Sequence, residues 1–341
     1  MTSCGFEPAL VIETHDMHTA GEPLRIVQKF PTLEGSTVLE KRKYVKTHYD
    51  YYRRFLMTEP RGHNDMYGAI LIPKKGFDNE FEVIFMHNEG YSSMCGHGVI
   101  ALGRYVVDQG LVSPSTPETE LIFHCPCGPV KTYVQYNNGM SGPVRFQSMP
   151  AFLYKSGAKI NVKSLGSVEV DIAYGGAFYA FVSASDINVD LDVTPLSQLV
   201  DTAAMITEAA KEQLTIKHPE SDELSFLYGT IITDGKDKYS ESPTKNICVF
   251  ADKQVDRSPT GSGVTARIAL QFKKGLISLN QTREFKSIID TSFSGKAVSE
   301  TKFGNFDAVV VEVCGMSYHT GKHVFYMESN DPVNYGFLLS N

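Results

Sequence analysis

An internal repeat constrains this chain more than any other feature of its sequence. Shifting the sequence by 165 positions, the difference between 95 and 260, places SSMCGHGVIALGRYVVDQGLVS (92–113) over RSPTGSGVTARIALQFKKGLIS (257–278) without a gap. Gly96 then coincides with Gly261, and the Gly-Leu pairs near the two ends also coincide. A match that includes both the start and the glycine stop of a helix indicates duplicated structural units.

The rest of the chain is dominated by short runs of β-branched and aromatic residues, bounded by Gly, Pro or Asn. Patterns typical of helices are few and include residues 98–110, 196–214 and 263–275. Strands, one helix and more strands occur twice, which predicts an α+β architecture with two similar halves. We expect the crossing between them within 139–150. The predicted halves are residues 1–148 with 322–341, and residues 149–321.

The composition excludes several classes of protein. With 341 residues, 42% hydrophobic and 21% charged, the chain resembles an ordinary globular protein of one large or two modest domains. The net charge is −7 and the longest basic run is Lys41–Lys43, so nucleic acid and anionic membrane are not expected partners. No stretch approaches the roughly 20 apolar residues that span a bilayer. The first residues lack the pattern of a signal peptide, so we expect a cytoplasmic protein.

The cysteines are scattered, and we expect free thiols in a reducing compartment. They are Cys4, Cys95, Cys125, Cys127, Cys248 and Cys314. His124 precedes the Cys125-Pro-Cys127 segment, which raises the alternative of a metal site. The one-residue gap does not fit the usual Cys-x-x-Cys clamp, so buried or edge thiols are the favoured interpretation.

Each repeated segment has a physical interpretation. A glycine-rich turn that enters a helix exposes unpaired N–H groups, and the helix dipole adds partial positive charge, which together bind a carboxylate or a phosphate. The same position lowers the pKa of a cysteine, so we expect a raised thiolate fraction at Cys95. Two such helices facing one cleft would hold one anion, with Cys95 on one side and Thr260 on the other. The alternative is that the glycines serve only close packing and Cys95 is inert.

Several segments, taken together, resemble the proline racemase family over nearly the whole chain. They are MCGHG (94–98), DRSPTGSG (256–263), DMHTAGEPLRIV (16–27), EPRGHNDMYGAIL (59–71), YGGAFYA (174–180) and DPVNYGFLL (331–339). The resemblance implies a diaminopimelate-epimerase-like fold, in which each half is a curled, mostly antiparallel sheet around a central helix. It also implies an active site between the halves, no pyridoxal phosphate or metal cofactor, a small imino acid as substrate, and a homodimer.

One position departs from the racemase pattern. Racemases of the family carry a cysteine in both signature segments, whereas this chain has Thr260 in the second. A hydroxyl is too weakly acidic to share proton transfer with a thiol near neutral pH, so exchange on both faces of a substrate is not expected. The Cys/Thr arrangement resembles the members of the family that dehydrate trans-3-hydroxy-L-proline. We therefore expect a hydro-lyase, with proline racemase or hydroxyproline 2-epimerase as the alternative, and a non-catalytic imino-acid binder as a third candidate.

The resemblance and the helix physics together assign roles to individual residues. Cys95 is expected to remove the α-proton, and Thr260 to fill or hydrogen-bond the opposite face. Asp256 is expected to hold the protonated ring nitrogen, and His97 to contact substrate and share the acid role. The expected carboxylate donors are the backbone N–H groups of Gly96, His97, Gly261 and Ser262. A scaffold role is at least as well supported for Glu22, His63, Asp65, Gly175 and Gly176.

Overall fold

The computed structural model describes residues 8–339, which contain 17 strands and five α-helices. The strands that precede the crossing are β1 (Leu10–Thr19), β2 (Glu22–Val27), β3 (Tyr67–Pro73), β4 (Glu80–His87), β5 (Glu118–Cys125), β6 (Gly128–Asn137) and β7 (Met140–Gln147). Those that follow are β8 (Phe152–Val162), β9 (Gly166–Tyr174), β10 (Phe178–Ser183), β11 (Leu227–Thr233), β12 (Thr244–Phe250), β13 (Gln254–Asp256), β14 (Arg283–Lys286), β15 (Ser292–Phe303), β16 (Phe306–Gly315) and β17 (Ser317–Met327). The helices are α1 (Val38–His48), α2 (Asp50–Met57), α3 (Gly96–Asp108), α4 (Leu196–Gln213) and α5 (Gly261–Lys273).

The strands form two sets with the same topology, which are joined where β7 pairs with β16. One set runs β17-β1-β2-β3-β4-β5-β6-β7. The other runs β8-β9-β10-β11-β12-β14-β15-β16, and the short β13 pairs with the far end of β12. In the first set the pairs β2-β3 and β4-β5 are parallel, and in the second set their counterparts β10-β11 and β12-β14 are parallel. All other neighbours within each set are antiparallel. The prediction of an α+β fold with two pseudo-symmetric, mostly antiparallel halves is confirmed.

The two central helices follow the sequence repeat to the residue. Helix α3 begins at Gly96 and α5 begins at Gly261, and their last residues are also 165 positions apart. Each helix then ends at a glycine with positive φ, +67° at Gly110 and +70° at Gly275, because the left-handed conformation at this position favours glycine. Both helices are buried over most of their circumference, as expected for helices enclosed by a curled sheet.

The remaining helices cover the outer faces of the sheets. Helix α4, which the sequence predicts, packs against β8 and β11 and covers an apolar cluster there. Helices α1 and α2 were not among the sequence predictions; they pack against β4 and cover a separate apolar cluster. Helix α1 buries only Val38 and Val45, so its apolar period is weak, but a capping box of Thr37 and Glu40 marks its start.

The crossing between the two sets follows β7, at residues 148–151. The division into halves stays a proposal. The predicted boundary between 321 and 322 falls inside β17, whose whole length pairs with β1. Because a strand and its partner belong to one sheet, we propose that the second half ends before Ser317. Cys4 and residues 340–341 lie outside the described residues, and within 8–339 no helix is long and apolar enough to cross a membrane.

Candidate active site

The N-termini of the two central helices meet face to face. A Cβ atom placed on Gly96 would lie 2.5 Å from Cα of Gly261, and one placed on Gly261 would lie 2.7 Å from Cα of Gly96. Only residues without a side chain allow this approach. The first N–H groups of both helices, which have no acceptor within the helix, therefore point toward one space between the halves.

That space is a cavity of about 300 Å³, including its opening to solvent. All seven residues that the sequence predicts for the site line it: Cys95, Gly96, His97, Asp256, Thr260, Gly261 and Ser262. Seven others complete the wall: Glu22, Tyr67, Met94, Tyr179, Tyr228, Cys248 and Phe250. The lining contains carboxyl groups but neither lysine nor arginine, so an anion in this cavity would be held by backbone N–H groups and neutral side-chain donors.

Cys95 occupies the N-cap position of α3. Its Sγ accepts a hydrogen bond from the Gly98 N–H at 3.2 Å, as the oxygen of a capping serine would, and the residue is 4% exposed. The sequence therefore places the only cysteine of the repeat at a position where its sulfur both starts the helix and faces the cavity.

The electrostatics of Cys95 differ from the expectation. Burial raises the pKa of the thiol well above its usual value, and the nearby Asp256 and Glu22 carboxylates raise it further. The hydrogen bonds from Gly98 and Tyr67 lower it but do not reverse the shift. The sequence predicts a lowered pKa for Cys95 at this helix N-terminus, and that prediction is wrong. Burial of the sulfur away from water raises the pKa by more than the helix N-terminus lowers it.

His97 is positioned to exchange a proton with Cys95. Its Nε2 lies 3.3 Å from the carbonyl oxygen of Pro23, which can only accept, so Nε2 carries the hydrogen. Nδ1, which then carries no hydrogen, lies 3.3 Å from Sγ of Cys95, and Nε2 lies 3.6 Å from the same sulfur. Burial lowers the pKa of His97, which keeps the ring neutral and able to accept a proton. The carbonyl of His97 is held by the hydroxyl of Thr19 at 2.9 Å.

Thr260 is the counterpart of Cys95 in the repeat but does not cap its helix. Its φ is +68°, an unusual value for a β-branched residue, and its side chain makes no cap hydrogen bond. Within the described chain its hydroxyl has no hydrogen-bond partner, although the residue is 4% exposed. The two helix N-termini thus share their backbone geometry but carry side chains of different acidity.

Two carboxyl groups, from Asp256 and Glu22, line the cavity. Asp256 accepts a hydrogen bond from the Ser258 N–H at 2.8 Å, and Glu22 accepts one from the Arg257 N–H at 2.7 Å. Glu22 is fully buried, and its pKa is raised first by burial and then by the charge of Asp256. A cationic ligand between these groups would relieve both effects.

Four of the five residues that sequence reasoning treated as scaffold lie behind the cavity wall, whereas the fifth, Glu22, lines the cavity. Asp65 forms an ion pair with Arg257 at 3.1 Å and accepts the Val255 N–H at 3.3 Å, which supports the segment before Asp256. A Cβ on Gly175 would lie 2.2 Å from the Ser262 carbonyl oxygen. These two residues, with His63 and Gly176, lie outside the cavity lining.

Sequence reasoning missed three tyrosines of the site, two of them within segments that resemble the family, because spacing along a strand does not show which side chains face the cavity. Tyr179 bonds the Ser262 hydroxyl at 2.7 Å, and the Tyr67 hydroxyl bonds Ser92. Tyr67 and Tyr228 open the similar runs YGAILI (67–72) and YGTIIT (228–233). These runs align with a shift of 161 positions, so extending the repeat with a gap is the signal that would have found the pair.

The segment around Cys125 and Cys127, which the sequence analysis considered as an alternative metal site, makes contacts of a different kind. His124 pairs with Glu80 at 2.6 Å, beside Lys74. Burial raises the pKa of both thiols, to about 12 for Cys127. Across residues 8–339, no cluster of three or more His, Cys, Asp or Glu side chains is arranged to hold a metal ion.

The fold and the cavity define a class of protein in which two similar halves enclose one small cavity between paired helix N-termini. Comparison with known proteins identifies the family. The proline racemase family profile matches residues 14–338, and this chain belongs to that family.

Relatives and solved structures agree with this assignment. The chain is 57% identical over 327 residues to trans-L-3-hydroxyproline dehydratase of Xenopus tropicalis, covering 95% of this chain and 94% of the relative. It is 56% identical over 336 residues to trans-3-hydroxy-L-proline dehydratase of Homo sapiens, covering 96% and 95%. The crystal structure of a probable proline racemase from Agrobacterium radiobacter superposes with a TM-score of 0.90 at 24% identity, covering 96% of each chain. The predicted fold is confirmed.

Proposed function

We propose that this protein is a hydro-lyase that converts trans-3-hydroxy-L-proline to 1-pyrroline-2-carboxylate and water. The observation that carries the proposal is the asymmetry of the paired helix N-termini, where Cys95 faces the cavity from one half and Thr260 from the other. Relatives that carry the dehydratase name match nearly the whole chain at 41–57% identity, which supports the same conclusion.

Substrate binding follows from the charges that line the cavity. The substrate carboxylate binds to the N–H groups that begin both helices, on Gly96, His97, Gly261 and Ser262. Preorganised donors of this kind stabilise the negative charge that develops at the carboxylate when the α-carbon loses its proton. Asp256 binds the protonated ring nitrogen, and the positive charge on that nitrogen makes the α-hydrogen more acidic. The same charge lies close to Cys95 and favours its thiolate, opposing the effect of burial.

The elimination needs one reactive face. The 3-hydroxyl of the substrate lies opposite the carboxylate and therefore on the same face as the α-hydrogen. The Cys95 thiolate takes the α-proton, and the electron pair of the C–H bond forms a double bond to C3 as the C3–O bond breaks. The departing hydroxide takes a proton from the Cys95 thiol, or from His97 after transfer, and leaves as water. The enamine becomes the imine when the ring N–H proton moves to C3.

Incubation with trans-3-hydroxy-L-proline tests this proposal. The expected product is the cyclic imine, which borohydride reduces to proline, and the Cys95→Ala enzyme should give none. Cys314→Ala, at a cysteine remote from the cavity, is the matched control and should retain activity. Absence of imine with the unmodified enzyme would contradict the proposed reaction.

Racemisation of proline or 2-epimerisation of hydroxyproline is the second candidate. It needs an acid–base group on each face, and Thr260 does not titrate near neutral pH. Incubation with L-proline or trans-4-hydroxy-L-proline should therefore give no product of inverted configuration. A non-catalytic binder would instead show saturable binding of these imino acids and no turnover of any of them.

Two further expectations complete the proposal. We propose a homodimer, and sedimentation should then give twice the 37.7 kDa mass of the chain. We also propose a cytoplasmic location, which free thiols favour. Fractionation of expressing cells tests it.

A further inference from the structure

Buried polar atoms without partners mark where a ligand is expected to bind. Over residues 8–339, three such atoms belong to residues of the cavity lining: Glu22 Oε1, Thr260 Oγ1 and the hydroxyl of Tyr228. Buried polar groups in folded proteins are nearly always hydrogen-bonded, since an unpaired group is costly. Three unpaired groups around one cavity therefore indicate that polar groups of the bound substrate complete them.

The positions of the three atoms indicate that each faces a different group of the substrate. Glu22 lies beside Asp256 and adds to the negative region that suits the ring nitrogen. Thr260 begins the helix opposite Cys95, on the face where no bond breaks. Tyr228 lines the same cavity as Cys95, so its unpaired hydroxyl is the group left to bind the 3-hydroxyl.

We propose that the Tyr228 hydroxyl donates a hydrogen bond to the 3-hydroxyl oxygen of the substrate, and that this contact selects 3-hydroxylated rings over proline. The inference rests on the proposed function, because it assigns one substrate group within that site. Tyr228 thereby contacts the leaving group, while Cys95 and His97 remain the groups that move protons.

The setting of the Tyr228 ring supports this contact. The ring stacks on Phe250 with centroids 5.2 Å apart and meets Tyr179 edge-on at 5.8 Å, which fixes its direction. Burial raises the pKa of the phenol well above its usual value, so it remains a donor through the neutral range. The Tyr67 hydroxyl, its counterpart in the other half, is bonded to Ser92, and it lies close enough to the Tyr228 hydroxyl to lower the pKa of Tyr228 against the effect of burial.

Tyr228 also stands between two spaces. It lines the catalytic cavity and a larger groove of about 1130 Å³, open to solvent, whose wall includes Lys46, Glu89 and Lys211. The groove takes residues from both halves of the protein. The proposed contact therefore lies at the wall that the catalytic cavity shares with this groove.

Tyr228→Phe tests the proposal, since it removes one oxygen and keeps the ring. We expect kcat/KM for trans-3-hydroxy-L-proline to fall about tenfold or more, the usual effect of losing one buried hydrogen bond to a ligand. The inhibition constant of L-proline, which lacks the 3-hydroxyl, should change less than about twofold. Tyr174→Phe is the matched control, because it removes a buried, unpaired hydroxyl outside the cavity.

The outcomes separate this inference from the proposed function. Failure of the unmodified enzyme to dehydrate the substrate contradicts the function itself. Normal dehydration by that enzyme, with equal losses for substrate and L-proline in Tyr228→Phe, or with no loss, overturns only the role of Tyr228.

A ligand-side measurement gives the same decision without a change at position 228. In Cys95→Ser enzyme, trans-3-fluoro-L-proline should bind about as weakly as L-proline, because fluorine is a poor hydrogen-bond acceptor. Binding as tight as that of trans-3-hydroxy-L-proline would overturn the proposal.

Discussion

Gly96 and Gly261 touch across the boundary between the two halves, with a Cβ on the first only 2.5 Å from Cα of the second. This contact brings together two helix N-termini that are 165 positions apart in sequence. It places the unpaired N–H groups of both helix N-termini at one cavity. The side chains that precede the two glycines, Cys95 and Thr260, therefore line the same space.

Gly96→Ala should destabilise the protein and abolish activity. At an ordinary helix position alanine is favoured over glycine, so the expected sign is opposite to helix propensity. The added methyl group would collide with Gly261 backbone atoms, and overpacking of this kind costs about 1–3 kcal/mol. Urea unfolding measures the change. Gly90→Ala is the control, since a Cβ there meets nothing within 4 Å, and a stability change above about 0.5 kcal/mol at Gly90 would argue against the packing explanation.

Cys95→Ser should remove dehydration while the fold persists. Serine is a favoured N-cap residue, so its hydroxyl can accept the Gly98 N–H in place of the sulfur. Its acidity is far too low for proton abstraction, and kcat should fall by about 10²–10⁴-fold or more. Imine formation and the circular dichroism spectrum are the two measurements. Turnover near that of the unmodified enzyme would eliminate Cys95 as the base.

The pH dependence of the enzyme should reflect the raised pKa of the Cys95 thiol. Below that pKa the thiol is protonated and inactive as a base, so kcat/KM should rise with pH through the neutral range. A rate that falls over this range would contradict a thiolate base. The pH-rate profile of dehydration under saturating and limiting substrate measures the effect in the bound and the free enzyme.

Asp256→Asn should change the thiol and the reaction in opposite directions. The charge of Asp256 raises the pKa of the Cys95 thiol, so removing that charge should lower the pKa in the enzyme without substrate. Dehydration should nevertheless fall, since the partner of the ring nitrogen is lost. The pKa of the thiol is measured from the ultraviolet absorbance of the thiolate as a function of pH. The absorbance of the double variant Asp256→Asn, Cys95→Ser, which lacks this thiol, is subtracted from that of Asp256→Asn. An unchanged titration curve would show that Asp256 does not act on Cys95.

Thr260→Cys should introduce a second acid–base group. Cysteine is not β-branched, so it tolerates the positive φ of +68° at this position at least as well as threonine does. The variant should exchange the α-hydrogen of L-proline with deuterated water and form D-proline, which proton NMR and chiral chromatography detect. Thr265→Cys, one turn further along α5, is the control. Exchange without inversion would show that position 260 alone does not determine the reaction.

Sequence reasoning succeeded where a local pattern carries the structure. The repeat gave the start and the end of both central helices, because the glycine turns and the glycine stops are local signals. These signals, together with the family resemblance, led to seven residues that line the cavity. It missed α1, where only Val38 and Val45 are buried, because that helix depends on tertiary packing rather than on its own period.

The tertiary structure alone decided the environment of those residues. Glu22, Tyr179 and Tyr228 reach the cavity from different strands, and their distance from Cys95 in sequence carries no information about proximity. The pKa of Cys95 is the clearest case. The sequence shows a helix N-terminus, which lowers a thiol pKa, whereas enclosure by the two halves raises it. Local chain conformation depends on neighbours in sequence, but burial and electrostatics depend on every group that the fold brings into contact.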